Sequence, residues 1–159
     1  MLIVLAFLAL LLALMVLGWR ARQRRQSAIA RPLPPPESLG EIHGTFDGFY
    51  VATTVAGEPL NRIAVRGLGY RARASVTVAA SGIILSLRGE PDAFIPTASL
   101  REVTRATWTI DRVVENGGLV LVAWTLGDTP VDSYFRLPDP DALLDALALI
   151  FPISTGRTA

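Results

Sequence analysis

The apolar and polar positions fall into three successive patterns. From Leu2 to Leu17 every residue is apolar, and with Gly18 and Trp19 the run makes a helix of roughly 27 Å at about 1.5 Å per residue. That length nearly matches a hydrocarbon core of about 30 Å, so residues 1–19 read as a transmembrane helix. From Gln26 to Ser38, Pro32, Pro34, Pro35 and Pro36 stand among small and polar residues. This composition favours an extended polyproline II spacer, and residues 20–39 read as a linker, basic and then proline-rich. From Gly40 onward short strand-like runs alternate with Gly, Pro and Asn, and the folded domain is expected over 40–153, with 154–159 as a tail.

Within the domain, Thr45 to Thr54 supplies strand-forming bulk, and Gly57-Glu58-Pro59 reads as a turn. Arg62 to Arg66 alternates, with Ile63 and Val65 on one face. In Arg71 to Val78, Arg71, Arg73, Ser75 and Thr77 oppose Ala72, Ala74, Val76 and Val78, and Ser81-Gly82 turns the chain into a partner strand over Ile83 to Arg88. Ala93 to Trp108 holds one or two more strands, with Pro96 marking an edge or a bend. After the Asn116-Gly117-Gly118 turn, Leu119 to Leu126 is apolar on both faces, and Val131 to Leu137 pairs with it across Gly127-Asp128. The last element is helical: Asp139 caps it, Pro140 suits its first position, and Leu143, Leu144, Leu147, Ile150 and Phe151 form an apolar face that Pro152 ends. The expected fold is mainly β: a curved sheet or partial barrel of about seven strands, closed at one end by a C-terminal helix.

Charge changes this picture in one respect. The formal net charge is +1 over 159 residues, yet Arg20, Arg22, Arg24, Arg25 and Arg31 follow the apolar run directly, whereas from Gly40 onward ten Arg face thirteen Asp and Glu. The domain is therefore acidic, and nucleic acid is excluded as the expected partner. Trp19 falls at the level of an interfacial aromatic belt, and Arg20, Arg22, Arg24 and Arg25 form a membrane flank. A secretory signal would carry its positive charge before the apolar core; here the order is reversed. The positive-inside rule then leaves the domain in the cytoplasm at the inner (plasma) membrane, with the N-terminus outside. Ala28-Ile29-Ala30 resembles a cleavage site beyond that basic stretch, which keeps an exported protein as an alternative.

Candidate chemistry is sparse. Neither cysteine nor lysine occurs, which removes thiolate, disulfide, Schiff-base and P-loop lysine chemistry. His43 is the single histidine, so no multi-histidine metal site can form. Gly67-Leu68-Gly69 lacks the full dinucleotide fingerprint and reads as a tight turn. No catalytic residue, metal or cofactor is expected. Arg62, Arg66, Arg71 and Arg73 recur on the outward faces of adjacent strands and form a candidate basic contact patch, for anionic headgroups or for an acidic partner.

Several strings resemble a known family: Asp47-Gly48-Phe49-Tyr50-Val51-Ala52-Thr53-Thr54, Asn61-Arg62-Ile63, Gly67-Leu68-Gly69-Tyr70-Arg71-Ala72-Arg73-Ala74 and Gly127-Asp128-Thr129-Pro130-Val131-Asp132-Ser133-Tyr134-Phe135-Arg136. They are similar to bacterial PH-like (pleckstrin-homology-like) domains in a family of actinobacterial single-pass membrane proteins, often encoded among pyrimidine-biosynthesis genes. The resemblance implies fold and topology and supplies no activity. One departure is informative. Lipid-binding PH domains place basic residues around the first hairpin turn, whereas Val55-Ala56-Gly57-Glu58-Pro59 carries an acidic one. The leading expectation is a non-enzymatic, membrane-anchored module that binds or positions an unidentified protein partner at the cytoplasmic membrane surface, with the lipid bilayer as its other partner. The alternative is a lipid or small-molecule binding domain that assists membrane transport.

Overall fold

A computed structural model describes residues 2–26, 29–63, 68, 70–106, 108–109, 112–113 and 118–153; side chains at 2–3, 5, 19, 21–26, 108–109 and 112–113 are outside what it describes. Helix α1 (Leu2–Gln26) is 25 residues long, about 37 Å. Its described apolar side chains, Val4, Phe7, Leu8, Leu10, Leu11, Leu12, Leu14, Met15, Val16 and Leu17, are all exposed. Successive residues turn by about 100°, so these exposed groups occupy the whole circumference. Among the described residues, which omit side chains at 2–3, 5 and 19, no helix is long and apolar enough to cross a membrane. The helix is thus shown and the crossing is not.

The domain is an antiparallel sheet with a C-terminal helix. Its strands are β1 (Ile42–Val55), β2 (Glu58–Arg62), β3 (Ala72–Ala79), β4 (Gly82–Leu87), β5 (Ala93–Pro96), β6 (Leu100–Ala106), β7 (Trp108–Thr109), β8 (Arg112–Val113), β9 (Leu119–Leu126) and β10 (Thr129–Arg136), followed by α2 (Pro140–Ala148). The main path runs β5-β4-β3-β1-β10-β9-β6, with β2 also on β1, while β7 and β8 pair separately. Six inter-strand steps would separate β5 from β6 by roughly 29 Å in a flat sheet. Yet Pro96 ends β5 and Leu100 begins β6, and only the short 3-10 turn Thr97–Ser99 lies between them. Four Cα steps span at most about 15 Å, so the sheet must curl until its ends approach.

Strand β1 carries the bend. It pairs with β3 from Ile42 to Tyr50 and with β10 from Phe49 to Val55, with a register shift between Tyr50 and Ala52. Such a bulge increases local twist and lets one strand serve two halves of a sheet. Gly48 sits at this crossing, where a Cβ would lie 2.5 Å from the Arg136 carbonyl oxygen and 3.1 Å from Leu137 Cγ. Only glycine lets the two strands approach so closely.

Most strand expectations hold. The β3–β4 hairpin, β9 and β10 lie where alternation and turn residues place them, and Val76, Val78, Leu85, Val122 and Phe135 are buried. The differences come from pairing. Strand β1 begins at Ile42, three residues before the expected start, because Gly44 and Thr45 find partners in Val78 and Thr77. Glu58 and Pro59, expected in a turn, open β2, whose residues Glu58 to Leu60 are exposed. The expected strand over Arg62 to Arg66 is represented only by Arg62 at the end of β2; residues 64–67 lie outside the described residues, as do Gly69 and the Asn116-Gly117 part of the next turn.

Helix α2 starts as the sequence requires: the Asp139 carboxylate accepts from the Ala142 N–H at 3.1 Å, with Pro140 at the first position. It ends at Ala148, before Ile150 and Phe151, which pack partly buried against the core. Leu143, Leu144, Ala146 and Leu147 face β1, β6 and β9. Arg105 on β6 donates to the Asp141 carboxylate and ties the helix start to the sheet edge.

Of the linker expected over 20–39, residues 20–26 continue α1 as helix, and the described remainder, from residue 29, runs along the domain. Ile29 and Ala30 pack against the core. The Phe94 N–H donates to the Leu33 carbonyl at 2.7 Å, so Leu33 bridges the edge strand β5. Ser81 N–H donates to the Leu39 carbonyl at 3.2 Å and Ala80 N–H to the Glu41 carbonyl at 2.8 Å. A strap of main chain thus occupies part of the free side of β5, which would otherwise be open to pairing with another chain.

Candidate functional site

The four arginines of the expected patch separate in the structure. Arg62 is half-buried at the end of β2 and has its own partner. Arg66 lies outside the described residues. Arg71 and Arg73 do converge, because they stand two residues apart on one face at the start of β3, and Phe49 lies directly across from Arg73 on β1. Their guanidinium carbons sit 5.0 Å and 5.9 Å from the centroid of the Phe49 ring. The electron-rich ring face attracts both cations and orders two side chains that would otherwise wander.

A third arginine, absent from the expected patch, joins them. The hairpin pairs Ala74 with Leu87, and the Arg88 N–H donates to the Arg73 carbonyl at 3.2 Å, which places Arg88 beside Arg73. The signal was present in the sequence, since counting back from the Ser81-Gly82 turn brings the two arginines opposite. The next row along the sheet is Asp47–Ser75–Ser86, across β1, β3 and β4. Asp47, Gly48, Phe49, Arg73, Ser75, Ser86 and Arg88 line an open groove of about 530 Å³ on the outer face. Among the described residues no carboxylate pairs with Arg71, Arg73 or Arg88.

Trp19, Arg22, Arg24 and Arg25 of the expected membrane flank have side chains outside the described residues, and Arg20 is exposed on α1. Arg31 lines a second groove, of about 510 Å³, between the strap and the β4–β5 turn, with Pro32, Pro34, Leu87, Glu90 and Asp92.

Among the described residues, side chains fill the interior of the curled sheet. Tyr50, Ile63, Leu68, Ile83, Leu85, Val103, Leu119, Phe135, Leu143 and Leu147 are each less than 2% exposed. One polar chain crosses this core. Tyr50 Oη lies 2.7 Å from the Leu68 carbonyl and 2.6 Å from Thr53 Oγ1; Thr53 Oγ1 lies 2.7 Å from Ser133 Oγ, to which Trp124 Nε1 donates at 2.9 Å. The indole can only donate and the carbonyl only accept, so the chain is fixed at both ends: Trp124 donates to Ser133, and the Tyr50 hydroxyl shares its one hydrogen between the Leu68 carbonyl and Thr53 Oγ1. Burial, the largest cause, pushes the Tyr50 phenol well above its ordinary value. With its proton held by a backbone carbonyl, this tyrosine is a structural tie and no acid–base group. His43 is half-buried on β1, and among the described residues no three metal-ligating side chains cluster.

A family described as bacterial PH domain-like matches residues 29–149. The match begins at Ile29, the first described residue of the strap, and ends at Leu149, at the close of α2. A comparison with curated proteins finds no match.

Proposed function

The chain belongs to the bacterial PH domain-like family, and from that premise we propose that it is a non-enzymatic binding module tethered to the inner (plasma) membrane, which binds or positions a protein partner at the cytoplasmic surface. A binding or scaffold role is what the family implies; the tether, the sidedness and the protein partner are our reading. The observation that carries it is α1. A soluble surface helix buries one apolar stripe, whereas this one exposes apolar side chains around its full circumference from Val4 to Leu17. Lipid is the solvent in which such a surface is stable, and Arg20, Arg22, Arg24 and Arg25 favour keeping the following domain in the cytoplasm. The resemblance to actinobacterial single-pass proteins supports the same topology.

The strap makes the tether short. From Gln26, the last residue of α1, to Ile29, which is packed on the core, the chain spans at most about 11 Å. Under this reading the domain is held close beneath the bilayer, a geometry suited to presenting a binding face. The packing of the interior among the described residues argues against a ligand carried inside the sheet, and the arginines after the apolar run argue against export.

Two measurements test the reading. The chain should remain in the membrane pellet after alkaline carbonate washing, and a reporter fused to its C-terminus should be active only on the cytoplasmic side. Release into the supernatant overturns the tether, and a reporter active outside overturns the sidedness.

A further inference from the structure

The outer-face groove has a lining that names a kind of partner. Its wall is cationic: Arg73 and Arg88 line it side by side, and Arg71 joins Arg73 over the Phe49 ring at its rim, in a domain that is acidic as a whole. Its floor is different in character. Ser75 and Ser86 offer hydroxyls that both donate and accept, and Asp47 offers an acceptor at the far side of the same row. Asp47 is exposed on β1. The lining therefore presents donors along one side and an acceptor along the other.

We propose that this groove is a docking site for an acidic, extended segment of a partner protein. It rests on the reading above that the domain binds a protein, and adds where and by what chemistry. Carboxylates of the segment meet Arg73 and Arg88, whose planar guanidinium groups offer paired N–H donors matching a carboxylate in shape. The stack on Phe49 holds Arg73 in place before the partner arrives and lowers the ordering cost of binding. Main-chain N–H and C=O groups of the segment meet Asp47 and the two serine hydroxyls. A polypeptide carries carboxylates and N–H donors in alternation and satisfies both sides of the groove. An anionic lipid headgroup satisfies the arginines but brings no row of main-chain N–H donors to Asp47 and the serines, so the mixed lining favours the peptide. A volume of about 530 Å³ suits a few residues of chain.

The test uses the full chain in nanodiscs of zwitterionic, net-neutral phosphatidylcholine. The probe is a fluorescent peptide of about six residues alternating glutamate and serine, roughly 20 Å long when extended. Its counterpart has lysine at each glutamate. The glutamate peptide should raise fluorescence anisotropy, more weakly as salt rises, and the lysine peptide should not. Arg73→Glu and Arg88→Glu should each weaken binding about tenfold, in line with hydrogen bonds to charged groups, while Arg73→Lys with Arg88→Lys should fall between. Thermal unfolding of each variant checks that the fold persists. Equal binding of the two peptides, or full binding by a folded double Glu variant, overturns the proposal. So does an effect of the Glu variants confined to nanodiscs containing phosphatidylglycerol, which would make the groove a headgroup site.

A second arm separates this failure from failure of the protein-binding reading. Because the chain has no cysteine, Ser86→Cys gives one labelling point for a photo-cross-linker within the groove, and Thr125→Cys, half-buried on β9, gives another outside it. A glutamate-peptide adduct at Ser86→Cys, lost with Arg73→Glu and absent at Thr125→Cys, is the supporting result. Adducts at Thr125→Cys alone leave a protein-binding domain and reject the groove. Adducts at neither position reject the groove, and the protein-binding reading then stands or falls on partner recovery from native membranes.

Discussion

Removing one oxygen from the core tests the polar chain that crosses it. In Tyr50→Phe the ring still packs against Phe135, whose centroid is 5.9 Å away, so little apolar contact is lost. What changes is polar. The Leu68 carbonyl and Thr53 Oγ1 both lose the phenolic donor. An unpaired buried acceptor costs about 1–3 kcal/mol. Thr53 retains Ser133 and loses less, so the total is about 2 kcal/mol. With an unfolding entropy of about 2.1 cal/mol/K per residue over roughly 120 residues, that corresponds to a fall in Tm of about 8 °C. The assay is thermal unfolding of the full chain in micelles, followed by tryptophan fluorescence, because Trp124 heads the same chain of bonds.

The pH dependence gives an independent readout. Burial raises the folded-state pKa of Tyr50 above its ordinary value of 10.0. Above about pH 10 the unfolded chain gives up the proton while the folded one keeps it, so stability falls as pH rises through that range. Below pH 10 both states hold the proton and the contribution is fully present. Tyr50→Phe should therefore be less stable at pH 7 and should lose stability less steeply above pH 10. A loss under about 0.5 kcal/mol together with parallel alkaline slopes would refute the role assigned to the buried Tyr50 hydroxyl.

Other substitutions probe how the site is held. Gly48→Ala should destabilise by about 2 kcal/mol, since its methyl group meets the Arg136 carbonyl at 2.5 Å; guanidinium titration reads this as a lower midpoint at unchanged slope. Leu143→Ala opens a cavity at a fully buried position beneath α2 and should cost about 2–5 kcal/mol by the same titration. Gly127 combines a φ of +60° with a Cβ position 2.7 Å from Ala30 Cβ. Gly127→Ala should therefore loosen the strap, seen as faster proteolysis around residues 29–31 with the domain's own unfolding shifted by only about 1 kcal/mol.

The strap and the groove show where local reading stops. Alternation and turn residues placed β3, β4, β9 and β10, and Asp139-Pro140 placed the start of α2, because these signals act over a few neighbouring residues. Glu58-Pro59-Leu60-Asn61-Arg62 has no such alternation and is a strand only because β1 offers free hydrogen-bonding groups beside it. Pro32 to Pro36 dictate an extended chain, and nothing within that stretch reveals that Leu33 meets Phe94. Arg73 and Arg88 could be matched by counting through one hairpin. Phe49 and Asp47 could not, since they come from a strand separated from β3 by β2 and the segment after it.

By itself, then, the sequence determined the three-part layout: an apolar run with arginines behind it, a proline-rich stretch that must be extended, and an acidic β domain closed by a capped helix. Each follows from covalent geometry or from short-range periodicity. The tertiary structure alone decided that the sheet curls until β5 and β6 approach, that residues 29–39 lie along the domain, and that Phe49 gathers Arg71 and Arg73 beside one groove. Those outcomes depend on which distant strands share hydrogen bonds, a choice made by the whole core at once and carried by no single segment.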